Sequence, residues 1–377
     1  MGWHLPFDRT ERCLARSQRA LARRNFPDAE RLLREALIAD PLRAHLHMYL
    51  GHALAEQERL RDAEAALERA AALAPDNFVF PLHLGIVRLD AGQYAVAREA
   101  LARGARLAPD NPLIAGYLDL VAWAEGEDRR LEALGRRARH LPESFRARLL
   151  LHVADWALRT RGGPAAVALL APPPDRPFAI RLPGPLHARW RRRRGERARR
   201  LLEAGRFEEA ADYLAAQPGA LDEPEAHALL DRARRGAVTA LATALERVAP
   251  RDRRALLLRR YEYENDLGDR DAASRTLQAW LAAYQQDGAP ASETPVAEAA
   301  ARRLAELDVE RGDFARALQH CAASRAARPA RETHGVEALA LLGLGRRRPA
   351  RHRFEDFLAD ALFPIDIAVA RARESAA

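Results

Sequence analysis

The sequence predicts an all-α, right-handed helical solenoid built in two arrays. Three observations lead there. A frame of small and branched apolar residues recurs with a period of 34: Ala29-Leu33-Ala36-Pro41, Ala63-Leu67-Ala70-Pro75 and Ala97-Leu101-Gly104-Pro109. The pair Leu50-Gly51 returns at the same period as Leu84-Gly85. Finally, 48% of the 377 residues are hydrophobic but only 6% are aromatic, a balance suited to close helix–helix packing.

The elements follow from that frame. In the second repeat, Leu46, Leu50 and Leu54 line one helix face, and Ala63, Leu67 and Ala70 answer from the next helix. The alanines let the two helices approach. Pro41, Pro75 and Pro109 end each second helix, because proline cannot continue it. Ala74-Pro75-Asp76-Asn77 and its copy Ala108-Pro109-Asp110-Asn111 supply a turn and a cap for the helix that follows. Gly92 and Gly126 mark tight turns inside the pairs.

Beyond residue 110 the pattern weakens. Residues 112–141 form a fourth unit, and residues 144–170 form a further helical pair. Six prolines between 172 and 185 forbid a helix there, so 171–186 is read as a proline-rich linker. The frame then returns at Gly205-Arg206-Phe207…Ala210-Leu214, Gly268…Ala273-Leu277, Gly312…Ala317 and Gly345…Ala350-Phe354. The expected organisation is an N-terminal array over 10–170, the linker, and a C-terminal array over 187–377 with a capping helix after Pro364.

Helical pairs of this period, with alanine, leucine, proline and turn glycine at these positions, resemble the tetratricopeptide repeat family. The resemblance covers 12–141 and 187–360, and 142–186 departs most. His47 and Pro81 stand where the family usually places an aromatic near the start of the first helix. The resemblance implies a scaffold or adaptor that binds partner segments in the concave groove formed by the first helices. It maps the partner-binding positions onto Gln18, His45, Met48, His52, Leu82, Ile86 and Trp123. A largely apolar groove with a methionine suits an apolar or amphipathic peptide. One of the chain's own helices, from 142–170, could fill the same groove. The second array offers a polar groove at Glu262, Asn265, Asp266, Arg302, Glu306 and Glu310.

Charge suggests an alternative. The formal net charge is +8, and all 61 basic residues are arginine. Arg189, Trp190, Arg191, Arg192, Arg193 and Arg194, continuing to Arg197, Arg199 and Arg200, could neutralise the phosphates of RNA or another anionic polymer, with Trp190 stacking on a base. A solvated helix start in an arginine-rich chain is the plainer reading. His45, His52 and His83 cluster along the sequence but lack a metal-ligand pattern, so no metal is expected. No cofactor is expected either. Without lysine there is neither a phosphate-binding loop nor Schiff-base chemistry. Gly-x-Ser-x-Gly, His-Glu-x-x-His and paired-cysteine spacings are also missing, so the chain is read as non-catalytic. No apolar run is long enough to span a membrane, and the start carries no secretory pattern. Cys13 and Cys321 are expected as reduced thiols in a cytoplasmic protein.

Overall fold

The computed structural model describes residues 6–127, 129–171, 195–216, 224–286 and 291–359. It is all-α, with no strand among the described residues. The helices are α1 (Pro6–Ala22), α2 (Phe26–Ala39), α3 (Ala44–Ala55), α4 (Leu60–Leu73), α5 (Val79–Asp90), α6 (Tyr94–Leu107), α7 (Pro112–Ala124), α8 (Arg130–Ala138), α9 (Glu143–Arg161) and α10 (Gly163–Leu170). After them come α11 (195–203), α12 (Phe207–Ala215), α13 (Pro224–Leu245), α14 (Pro250–Asp266), α15 (Arg270–Gln286), α16 (Thr294–Arg311), α17 (Phe314–Ala327), α18 (Arg331–Gly343) and α19 (Arg347–Leu358). A short 3-10 turn, Ala291–Glu293, precedes α16. The segment expected to cap the chain after Pro364 lies outside the described residues.

Two compact units divide the chain: 1–161 together with 345–377, and 162–344. This differs from the division that proline content suggested. The pair α9–α10 is split between units, and α19 groups with the first unit, not with the second. The proline-rich stretch 172–185 itself lies outside the described residues.

In the first unit each frame position does what its spacing predicts. Ala29, Leu33, Ala63, Leu67, Ala97 and Leu101 are all buried, and α1–α2, α3–α4 and α5–α6 pack as pairs. Successive pairs stack through α2–α3, α4–α5 and α6–α7. The odd-numbered helices also touch each other, α3 on α5, α5 on α7 and α7 on α9, so they form one continuous face. Gly51 and Gly85 make the pairing of helices possible. A Cβ at Gly51 would sit 2.7 Å from Leu67 Cγ, and one at Gly85 would sit 2.6 Å from Leu101 Cγ. Asn111 caps α7 by accepting hydrogen bonds from the Leu113 and Ile114 amides.

The turn inside each pair needs one residue with a left-handed backbone, and these residues keep the period of the frame. They are Arg24 (φ 55°), Glu58 (φ 64°), Gly92 (φ 74°) and Gly126 (φ 107°). Glycine takes this conformation freely. An ordinary L-residue in it costs about 1–2 kcal/mol. The first two repeats therefore carry strain that the next two avoid.

In the second unit α12–α13, α14–α15 and α16–α17 pair in the same way, and α10 packs on α16 and α18. Trp280 and Leu304 are fully buried in its core.

Candidate functional site

The residues that the sequence assigned to the groove divide in two. Gln18, His45 and His52 are exposed, Gln18 donating from Nε2 to the Tyr49 hydroxyl at 3.1 Å. Met48, Leu82, Ile86 and Trp123 retain only 8, 5, 8 and 7% of their surface, so they are packed walls and not an open apolar floor. Trp123 meets Trp156 of α9 edge-on at 6.4 Å, and His45 meets the edge of buried Phe80 at 5.3 Å. Helices stacked as closely as α3, α5 and α7 use up their branched side chains on one another. The assigned residues left open, Gln18, His45 and His52, are the polar ones.

One end of that face is occupied by a charged cluster in which α19 takes part. Helix α19 packs on α9. Its arginines reach the C-terminal ends of the odd-numbered helices: Glu56 is the C-cap of α3, and Asp90 is the last residue of α5. Arg351 donates to Glu56 and to Asp90 Oδ2, the latter at 3.3 Å. His352 Nε2 lies 2.9 Å from Glu56 Oε2, and Arg347 donates to Asp155 of α9. Arg24, at the left-handed turn after α1, donates to Glu355 and Asp356, each at 3.2 Å. Phe26 stacks on His352. From α9, Arg148 holds Asp90 with two of its nitrogens, at 3.0 and 3.1 Å, and also reaches the Tyr117 hydroxyl.

Helix C-termini carry partial negative charge, so two such ends and their carboxylates form a natural seat for guanidinium groups. Burial works against ionisation of Glu56, but the His352 hydrogen bond and the Arg351 charge outweigh it, and its pKa is lowered. Asp90 behaves alike: burial opposes its charge, while Arg148 and Arg351 lower its pKa. Two nearby histidines stay neutral. Burial pushes His83 and His152 down to about 4, assisted by His52 at the first and Arg347 at the second.

The other sites expected from the sequence separate clearly. Arg189, Trp190, Arg191, Arg192, Arg193 and Arg194 lie outside the described residues. Of the arginines that continue that run, Arg197 sits over the Tyr213 ring at 4.6 Å and Arg199 pairs with Glu225. The charges expected in a polar second groove all have partners. Arg302 binds Glu306 at 3.0 Å, Arg303 binds Asn265 at 3.1 Å, Arg234 binds Asp266 at 2.6 Å, Arg259 binds Glu262 at 3.1 Å and Arg270 binds Glu310 at 2.8 Å. Among the described residues no three His, Cys, Asp or Glu side chains are grouped to hold a metal ion. Cys13 and Cys321 are buried and form no disulfide. No described helix is long and apolar enough to cross a membrane.

Sequence reasoning missed the role of α19 and of Arg148. One signal was available: the periodic series of turn positions puts Arg24 and Glu58 where Gly92 and Gly126 stand.

Family models agree with the frame. Two of them, each described as tetratricopeptide repeat, match residues 14–78 and 54–121. No curated protein matches the chain. Among solved structures, the Yersinia enterocolitica type III secretion chaperone SycD, in complex with a peptide of the translocator YopD, is 16% identical. That likeness covers 31% of this chain and 95% of the chaperone, at a TM-score of 0.30. A thermophilic tetratricopeptide-repeat protein of Thermus thermophilus is 17% identical over 42% of this chain and 87% of that one, at 0.35. Pseudomonas aeruginosa pilF is 14% identical over 76% of this chain and 95% of that one, at 0.33. Residues 14–121 of the chain are thus tetratricopeptide repeats.

Proposed function

We propose that this protein is a non-catalytic scaffold or adaptor that captures a partner polypeptide on the face formed by α1, α3, α5 and α7. The observation that carries this reading is the continuity of that face. Helices α3, α5 and α7 stack directly on one another, and Gln18, His45 and His52 stand open beside them. Stacked repeats present an extended surface instead of a closed reaction pocket. Met48, Leu82, Ile86 and Trp123 back this surface and set its shape. The partner is a polypeptide segment of amphipathic character, whose polar side meets the histidines and glutamine. The same reading puts the protein in the cytoplasm, where cysteines outside disulfides, as Cys13 and Cys321 are, remain reduced.

Site-specific crosslinking tests the proposal. A photo-reactive residue placed at His45 or His52 should form protein conjugates in cells, whereas one at exposed Arg69 on α4 should not. Equal labelling at all three positions would refute it. Conjugates that disappear on nuclease treatment would favour the alternative, an anionic polymer bound by Arg189–Arg200.

A further inference from the structure

The cavity at the start of α19 has a composition that polypeptide capture does not use. It measures about 340 Å³ and is lined by Glu58, Leu60, Asp90, Leu151, Gly345, Arg347, Arg348 and Arg351. The lining thus combines three guanidinium groups, two carboxylates and two leucines.

Two of those arginines are already committed. Arg347 is held by Asp155, and Arg351 by Glu56 and Asp90. Asp90 is in turn neutralised by Arg148. Arg348 differs from both. Its side chain is only 14% exposed, and the carboxylate it meets is Glu56, 3.5 Å from Nε. Glu56 is itself shared with Arg351 and His352. Burial, with the neighbouring Arg351 charge, lowers the pKa of Arg348 against the pull of Glu56.

Two further observations point into the same space. No side chain caps the N-terminus of α19, where the Arg347 amide donates to the Gly345 carbonyl and Pro349 has no N–H to offer an anion. The uncapped end adds its positive dipole beside Arg348. Glu58 also lines the cavity, an exposed residue in the left-handed conformation that the third and fourth repeats assign to glycine. Its charge acts on Arg348.

We propose that this cavity binds a small molecule bearing one anionic oxygen group, a carboxylate or a phosphate ester, on an apolar body. Arg348 and the α19 N-terminus receive the anion, Leu60 and Leu151 receive the apolar part, and Glu58 is the resident counter-charge that the ligand displaces. This site does not depend on the partner-binding reading above.

The test is calorimetric titration of the full chain with hexanoate and with hexyl phosphate, using hexanol as the uncharged control. One of the two anions should bind at a single saturable site, and the preferred one identifies which anion the site takes. Arg348→Gln should weaken that binding at least tenfold while leaving the melting temperature unchanged, since Glu56 keeps both Arg351 and His352. Glu58→Gly, which relieves strain and cannot harm the turn, should tighten it severalfold. Hexanol should not bind. Failure of both anions to bind more tightly than about 1 mM would overturn the proposal. So would binding that Arg348→Gln leaves intact, or that Glu58→Gly weakens.

Discussion

Gly85→Ala puts the packing of the repeat to a quantitative test. The new Cβ would lie 2.6 Å from Leu101 Cγ, 2.8 Å from its Cδ2 and 3.3 Å from the Ala97 carbonyl oxygen. Leu101 is fully buried and Ala97 belongs to the facing helix, so neither can step aside without moving α6. Overpacking of this kind costs about 1–3 kcal/mol. Replacing glycine by alanine inside a helix returns about 1 kcal/mol through propensity. The net effect is a destabilisation of up to about 2 kcal/mol. Leu101→Ala alone should cost about 2–5 kcal/mol, because it opens a cavity in a closed core. In that background the obstacle is gone, so Gly85→Ala should stabilise by about 1 kcal/mol. The sign of one substitution thus reverses with the identity of its neighbour, a coupling of about 1–3 kcal/mol. Urea unfolding followed by circular dichroism gives the four stabilities, and hydrogen exchange in α5 and α6 localises the effect. If Gly85→Ala has the same sign in both backgrounds, helices α5 and α6 do not meet through these residues.

Other outcomes follow from the same geometry. Ala63→Leu, at a fully buried frame position, should cost about 1–3 kcal/mol by overpacking, and an unchanged melting temperature would contradict the frame. Arg351→Ala should cost about 1–3 kcal/mol by removing one charged partner from Glu56 and Asp90, which keep His352, Arg348 and Arg148, whereas Arg31→Ala, at an exposed pair, should leave the urea midpoint nearly where it was. Acid should destabilise the first unit in a defined window. His83 and His152 have folded pKa values of about 4 against an ordinary 6.5, so the unfolded chain takes up protons first. Their contribution, at most on the order of 3 kcal/mol each, is complete above pH 6.5 and is lost as pH falls to about 4. Urea midpoints at successive pH values measure this, and a flat profile across that range would refute the neutral, buried assignment. A fragment ending at residue 171 lacks α19 and should expose α9 to faster hydrogen exchange than in the full chain; equal exchange would mean that α19 contributes nothing there.

Much of this protein is legible in its sequence because its order is local and repeated. Each helix of residues 12–141 is specified by residues three to four positions apart, and each pair by a neighbour within one repeat. Ala63, Leu67, Ala97 and Leu101 therefore took the buried places that their spacing requires. The turn positions 24, 58, 92 and 126 could be counted from the sequence as well. Which face remains open could not be counted. Met48, Leu82, Ile86 and Trp123 occupy groove positions in the frame, yet the stacking of α3, α5, α7 and α9 buries them and leaves Gln18, His45 and His52 outside. The charged cluster was less legible still. Arg351 and Glu56 are 295 residues apart, and in a chain with 61 arginines no periodicity says which guanidinium meets which carboxylate. Helical periodicity encodes contacts between near neighbours. Pairing across hundreds of residues is decided only when the tertiary structure brings α19 against α9 and the helix ends beside it, where buried charges must find partners.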